Sequence, residues 1–266
     1  MEFLNKTLAP FGVAVWDTIE AELSDALSKR LTLRSAVDFN DTYSFDTDAI
    51  STGALKKVSS KGNVSICTRE PIKMVEIKQN FTVSKEVIED IKRGKVDFDN
   101  TPFTSVANSF AKIENDIILT GMSNANIEGM ISKETHTINA SSPKDIMVGV
   151  AKAMGVFNTN FIDGPFVLVI SSTTMAKLMV ESFDGKSLKS KIEEIIGKGS
   201  IIISNDIGDD KALVISQRSG DFEFYSGLDV SVGYESENKD GVELFLIQSC
   251  AFRVITPEAV ILINIK

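Results

Sequence analysis

The residues whose types and spacing could support chemistry form a few short groups. The segment 183–187, FDGKS, ends like a phosphate-binding loop, but that motif needs a glycine five residues before Gly185, where the chain has Val180. His136, the only histidine, lies in a predicted polar loop, and no G-x-S-x-G turn is available to present a nucleophilic serine. The sequence therefore predicts neither a nucleotide site nor a serine triad.

Carboxylates are the remaining candidates for chemistry. Asp206, Asp209 and Asp210 could ligate a metal ion, but no histidine or cysteine pair accompanies them, which favours a solvated acidic turn. Glu114 and Asp116 are interpreted as the solvent-facing side of a long helix rather than as an acid–base pair. We expect no catalytic residue and no metal site, and therefore a protein that is not an enzyme.

The helix that carries Glu114 is expected to organise the fold, and we call residues 101–121 the spine helix. Thr101 is a candidate N-cap, Pro102 suits the first helical position, and Gly121 is a typical stop. Apolar residues recur three or four positions apart, on one face: Phe103, Val106, Ala107, Phe110, Ile113, Ile117 and Ile118. At about 1.5 Å per residue the helix is nearly 30 Å long, so segments on both sides of it in sequence can pack against it.

Composition limits the possible partners and the location. A net charge of −9 disfavours nucleic acid and anionic membrane as partners, since both require clustered lysine and arginine. The start, MEFLNKTLAPFG, does not resemble a signal peptide, and no apolar run is long enough to span a bilayer. Cys67 and Cys250 are interpreted as small buried residues in a reducing compartment. These features predict a cytoplasmic protein.

The segment from Thr52 to Thr82 alternates with a period of two and is predicted to form a long two-stranded excursion. It is rich in lysine and serine and has few large apolar residues with which to build a core. An isolated hairpin is marginally stable at best in water. We therefore expect a neighbouring copy of the chain to support it.

Several segments resemble the encapsulin shell proteins of bacterial nanocompartments: MEFLNKTLAP at the start, Arg34 to Asp38, GPFVLVI at 164–170, and above all the segment from Gly220 to Lys266. The resemblance covers essentially the whole chain. It implies an α+β, HK97-type phage-capsid fold with a peripheral lobe around the spine helix, an axial α/β lobe and an extended β-hairpin loop.

The implied division has five parts. Residues 1–51 form the N-terminal arm and helix of the peripheral lobe, 52–82 the extended loop, 83–141 the peripheral lobe with the spine helix, 142–219 the axial lobe, and 220–266 the C-terminal strands of the peripheral lobe. The resemblance also implies a hollow icosahedral shell, with pores for small solutes, around a ferritin-like or peroxidase-type cargo enzyme that docks through a C-terminal targeting peptide. A phage or prophage capsid protein is the alternative, and an acidic chain without a basic arm fits it less well. Older family labels also suggest a secreted bacteriocin or protease, which neither a signal peptide nor a triad supports.

The resemblance also assigns site residues. The cargo-peptide groove would contain Leu27, Arg34 and Asp38 on one wall and Val230 and Val232 on the other. Leu27 equally fits an ordinary core position at helical spacing. The turn that carries Glu181, Asp184 and Lys186 would line the five-fold pore, or it is simply an exposed turn.

No cofactor is expected. Some relatives carry a tryptophan that stacks a flavin in the short helix after the F-T-x strand, and this chain has Glu86 at that position. A carboxylate side chain cannot stack on the flavin ring, so we expect no flavin here.

Overall fold

The fold is organised around a long helix, as predicted. The computed structural model describes residues 2–132 and 135–266, and in it the helix α3 runs from Thr101 to Thr120. The N-cap is Asn100 rather than Thr101, and the Thr101 N–H is bonded instead by the side chain of Asp99, at 3.0 Å. The apolar face is buried as expected except for Ile113, which is 40% exposed.

The helices and strands of the described residues have the following bounds. The helices are α1 (Val13–Ser28), α2 (Lys85–Lys92), α3 (Thr101–Thr120), α4 (Pro143–Thr159), α5 (Ser172–Val180) and α6 (Leu188–Ile196). The strands are β1 (Asp38–Asn40), β2 (Ala49–Ile50), β3 (Leu55–Lys61), β4 (Val64–Arg69), β5 (Ile72–Lys73), β6 (Val75–Ser84), β7 (Gly121–Met122), β8 (Ile127–Glu128), β9 (His136–Ala140), β10 (Phe166–Ile170), β11 (Ser182–Phe183), β12 (Lys186–Ser187), β13 (Ile201–Ile203), β14 (Lys211–Ser216), β15 (Phe222–Glu237), β16 (Gly241–Val254) and β17 (Val260–Ile265).

A four-stranded sheet of order β1-β15-β16-β6 packs beside α1 and α3. The long strands β15 and β16 form an antiparallel hairpin. In the turn that joins them, the Asn238 side chain accepts hydrogen bonds from the N–H groups of Asp240 and Gly241, both at 2.9 Å. Aromatic residues of the sheet, among them Phe224 and Phe252, are fully buried. This sheet and the two helices make up the lobe that contains the candidate site.

The second sheet has the order β13-β10-β14-β17-β9 and packs against α4, which in turn contacts α5 and α6. Its strand β17, at 260–265, lies within the range 220–266 that was assigned to the peripheral lobe. The sequence contained a signal for the difference, because VILI at 260–263 is a continuous apolar run like FVLVI in β10, and such runs are typical of strands covered on both faces. The last strand therefore returns to the lobe built mainly from 142–219.

The β3–β4 hairpin is shorter than the excursion expected over 52–82. Strand β6, at 75–84, pairs along its whole length with β16 in the four-stranded sheet. Within the described residues of 52–82, β3 and β4 pair with each other alone, and β5 pairs with β2. Alternation with a period of two identifies strands but not their partners, which is why the sequence pattern did not separate β6 from the hairpin. Cys67 lies on β4 and is exposed, so the prediction that it is buried is wrong, whereas Cys250 is buried.

None of the helices in the described part of the chain is both long enough and apolar enough to cross a membrane.

Two glycines give a direct test of this fold. Gly121 ends α3 with φ +76°, and an added Cβ would meet the carbonyl oxygen of Ile127 at 2.4 Å, whereas a Cβ at Gly155, inside α4, meets no atom within 4 Å. We expect Gly121→Ala to lower the melting temperature or prevent folding. Gly155→Ala should stabilise the protein by up to about 1 kcal/mol through helix propensity. Thermal unfolding followed by circular dichroism compares them, and equal effects would contradict the tight α3–β8 contact.

Candidate functional site

A groove of about 370 Å³ lies between α1 and the strands β15 and β16. The side of α1 and the residues that follow it form one wall, and the middle of β15 forms the other. The lining residues are Lys6, Glu20, Leu23, Ser24, Leu27, Ser28, Leu31, Arg34, Asp229, Val230, Ser231, Val232 and Leu246.

Helix α1 is fixed by an apolar stripe at helical spacing, and its buried residues are Val15, Trp16, Ile19, Leu23 and Leu27. Leu27 clusters with Ala107 and Ala111 of α3, and Val230 packs against this cluster from across the groove. Small alanines on α3 allow α1 to approach closely. Leu27 is therefore both a core residue and a wall of the groove, which accommodates both readings of its sequence position.

The opposite wall is shaped by an irregularity in β15. Leu228 is paired with Ser249 and Ser231 with Ile247, so Asp229 and Val230 together lie opposite the single residue Gln248. An extra residue of this kind bends the strand and redirects its side chains. The Val230 N–H is bonded by the Asp229 side chain at 2.7 Å. The bulge thereby places a carboxylate and an isopropyl group side by side in the groove.

Arg34 connects the two walls. Its Nε and one terminal nitrogen donate to the two carboxylate oxygens of Glu114, each at 2.7 Å. Its terminal nitrogens also donate to Asp229, at 2.7 and 3.2 Å. Glu114 is fully buried, so its predicted position on the solvent-facing side of the spine helix is wrong. The Gln248 amide donates to the same carboxylate at 2.5 Å.

The environment of Arg34 holds its charge in place. The guanidinium lies over the rings of Phe39 and Phe224, at 4.8 and 5.8 Å from their centroids. Burial lowers the pKa of Arg34, but the hydrogen bonds to Glu114 and Asp229 outweigh burial, and the pKa lies above its ordinary value. One cation faces two carboxylates, so the cluster of Arg34, Glu114 and Asp229 carries a net charge of −1.

The structure brings four of the five predicted groove residues together: Leu27, Arg34, Val230 and Val232 all line the groove. Asp38 does not line it. Its carboxylate accepts a hydrogen bond from the Gly220 N–H at 2.6 Å and faces depressions nearer the second lobe.

Sequence reasoning missed three residues of the site: Glu114, Asp229 and Gln248. Glu114 could have been found, because it lies four residues after Phe110 and three before Ile117, on the apolar face of α3. A carboxylate on a buried face requires a buried partner. Asp229 had no comparable signal, since its role depends on a bulge that is visible only in the pairing register.

The turn expected to line a pore is a tight hairpin in which β11 pairs with β12. Asp184 and Gly185 both have positive φ, 52° and 75°. Glu181, Asp184 and Lys186 are all exposed, and the Lys186 ammonium donates a hydrogen bond to the Glu194 carboxylate of α6. The lining of a five-fold pore by this turn stays a prediction.

The other candidate groups show no assembled chemistry. His136 is exposed on β9 rather than in a loop, and Glu86 is exposed in the first turn of α2. Asp206 accepts a hydrogen bond from the Asn115 amide at 2.6 Å, so it joins α3 to the second lobe rather than belonging to a purely solvated turn. Within residues 2–132 and 135–266, no set of three or more His, Cys, Asp or Glu side chains is placed to hold a metal ion.

Comparison with known proteins assigns the chain to a family. A family model described as an encapsulating protein for peroxidase, of the linocin type, matches residues 1–251. The chain belongs to the encapsulin family. A type 1 encapsulin shell protein of Mycobacterium tuberculosis is 31% identical over 262 residues, which cover 97% of this chain and 98% of the relative. This confirms the resemblance seen in the sequence.

Solved structures show that this encapsulin has the phage-capsid fold. A virus-like particle from Pyrococcus furiosus matches with a TM-score of 0.70 at 19% identity, over 95% of this chain and 100% of that one. The capsid of the myovirus XM1 matches with a TM-score of 0.60 at 10% identity, over 88% and 91% of the two chains. Both similarities concern the fold, and they confirm the predicted fold class.

The Arg34 cluster generates a stability test. Arg34→Met leaves the buried Glu114 carboxylate without its counter-ion and should cost about 3–5 kcal/mol, with a clear fall in melting temperature. Asp229→Asn changes a half-exposed partner and should cost less than about 1 kcal/mol.

The matched control is Arg34→Met combined with Glu114→Gln, which removes both charges. Thermal unfolding should show that the double variant recovers more than half of the loss caused by Arg34→Met alone. A double variant no more stable than Arg34→Met would contradict the assignment of the loss to an unpaired buried charge.

Proposed function

We propose that this chain is a shell subunit that assembles with copies of itself into a hollow icosahedral compartment in the cytoplasm, which encloses a cargo enzyme. The observation that carries the proposal is a β-hairpin whose two strands pair only with each other in the described part of the chain, with residues 53–60 and 62–69 all exposed, in a protein that belongs to the encapsulin family. The chain itself is proposed to be structural rather than enzymatic. Its similarity to curated shell proteins over nearly the whole chain supports this role.

The hairpin supplies the physical reason for assembly. Residues 53–60 and 62–69 are all exposed, and they include Leu55, Val58, Val64 and Ile66, each more than half exposed. Burying an aliphatic side chain of this size stabilises by about 1.5–3 kcal/mol. Two strands alone do not form a stable unit in water. A second copy of the chain is the occupant that a closed shell offers at every such position.

A phage or prophage capsid is the second candidate function, since a phage capsid has the same fold. The family model and the curated relative favour a compartment for protein instead. The net charge of −9 also disfavours a lumen packed with nucleic acid.

The groove between α1 and β15 is proposed to take the C-terminal targeting peptide of the cargo enzyme. Leu23, Leu27, Val230, Val232 and Leu246 offer apolar contacts for aliphatic side chains. Arg34 already binds two carboxylates of its own chain, and the cluster's net charge favours a peptide that carries basic residues. The description of the family model supports a peroxidase as cargo, and a ferritin-like enzyme is the other class that the resemblance implies.

Two further parts of the proposal concern small molecules. The β11–β12 hairpin, with Glu181, Asp184 and Lys186, is proposed to line a pore that admits small solutes. The shell is proposed to bind no flavin, because the exposed Glu86 carboxylate offers no aromatic surface for the ring to stack on.

Assembly is tested by electron microscopy and light scattering of the purified protein. We expect closed particles from the wild type and their loss when Val58 and Ile66 are both changed to serine. Val96→Ser is the control, because Val96 is 93% exposed but lies outside the hairpin, and this variant should still form particles. A wild-type protein at the mass of one polypeptide would refute the proposal, and particles rich in nucleic acid would favour the capsid alternative.

The groove is tested with Val230→Asp. A third carboxylate beside Asp229 and the loss of an apolar wall should abolish co-purification of the enzyme encoded in the neighbouring reading frame, while particles still form. Val230→Ile keeps the apolar wall and should retain the cargo. Gel analysis of purified particles measures both, and cargo retained by Val230→Asp would exclude this groove as the docking site.

A further inference from the structure

The charge of the chain is distributed unevenly between the hairpin and the rest. Residues 55–69, LKKVSSKGNVSICTR, contain four basic residues and no acidic one, so the hairpin carries +4. The whole chain carries −9, and the remainder therefore carries −13. A strongly cationic segment thus extends from a strongly acidic molecule.

The register of the hairpin shows how charge and apolar surface are combined. Val64, Ile66 and Thr68 alternate along β4 and so share one face, and Thr68 is paired with Lys56. On the other face Lys57 is paired with Cys67. Val58 lies at a bulge between the paired residues on either side of it. Both faces therefore present a lysine next to exposed uncharged side chains.

Among the described side chains, the hairpin's charge is met by one exposed ion pair. Lys56 approaches the carboxylate of Glu70 to 3.2 Å, but both side chains are largely exposed, and an ion pair of this kind contributes little. Apolar surface that carries only positive charges is complementary to apolar surface bordered by carboxylates. Another copy of this chain, with its excess of acidic residues outside the hairpin, has the opposite charge.

We propose that the hairpin is drawn onto an acidic surface of a second copy by charge, so that the ionic strength of the medium sets the rate of shell assembly. This inference rests on the proposed function and adds its regulation. Electrostatic attraction between complementary surfaces accelerates their encounter. Salt weakens this attraction, and the screening length is about 10 Å at 0.1 M ionic strength. Low salt speeds assembly, and high salt slows it before the apolar side chains make contact.

Apolar burial alone gives the opposite dependence on salt. Excluded salts strengthen the burial of apolar surface, so a hairpin that docked only through Val58, Val64 and Ile66 would assemble as fast or faster at high salt. Repulsion between the acidic remainders of two copies also gives the opposite dependence, because salt screens it. Nucleic acid attracts a cationic hairpin, but the acidic remainder of the chain repels it. The sign of the salt effect and the nucleic-acid content of the particles therefore separate these explanations.

The test follows reassembly of disassembled full-length protein by light scattering at several NaCl concentrations. We expect the wild-type rate to fall about tenfold or more between roughly 50 and 500 mM NaCl. The double variant Lys56→Gln/Lys57→Gln should be slower at low salt and change less than about twofold over the same range.

The control variant Lys198→Gln/Lys239→Gln also removes two positive charges, but from exposed positions outside the hairpin, and should behave like the wild type. Circular dichroism checks that each variant is folded, which we expect because the substituted side chains are exposed. A wild-type rate that is unaffected or increased by salt overturns the inference, as does an equal effect of the two double variants.

The remaining outcomes are also decisive. Nuclease-sensitive absorbance in wild-type particles that is lost in Lys56→Gln/Lys57→Gln would assign the hairpin to nucleic acid and overturn the inference. Particles that form with no salt dependence refute this inference but leave the proposed function standing. A wild-type protein that forms no particles at any salt concentration refutes both.

Discussion

The buried contact between Arg34 and Glu114 is the constraint on which the candidate site depends. A fully buried carboxylate on the long helix requires a cation, and Arg34, which binds it bidentately, comes from the segment just after α1. The ion pair therefore ties the segment that follows α1 to α3. The same guanidinium binds Asp229 on the bulge of β15. One side chain therefore connects the two walls of the groove.

Much of the fold could be predicted from the sequence, because it depends on periodicity. The stripe on α1, the apolar face of α3 and the buried run in β10 each indicate their element directly. Partners of strands could not be predicted in this way, since alternation looks the same in β4, which pairs only within the hairpin, and in β6, which joins the large sheet. Pairing is decided by contacts between residues far apart in sequence, and a local pattern contains no information about them.

Some residues of the candidate site could be predicted from the sequence, and others could not. Leu27, Val230 and Val232 came from the family resemblance, and the structure places all three around one groove. Glu114 was misread because a charged residue on a helix is usually solvent-facing, although its spacing from Phe110 and Ile117 placed it on the buried side. Asp229 depends on the local register of β15, which no pattern of residue types reveals.

The last strand has a consequence for the order in which the molecule is completed. Strand β17 lies between β14 and β9 in its sheet, antiparallel to the first and parallel to the second. Until residues 260–265 have emerged from the ribosome, the sheet has a gap in its interior and the lobe remains unfinished. The lobe can therefore close only once these residues are available to pair with both neighbours.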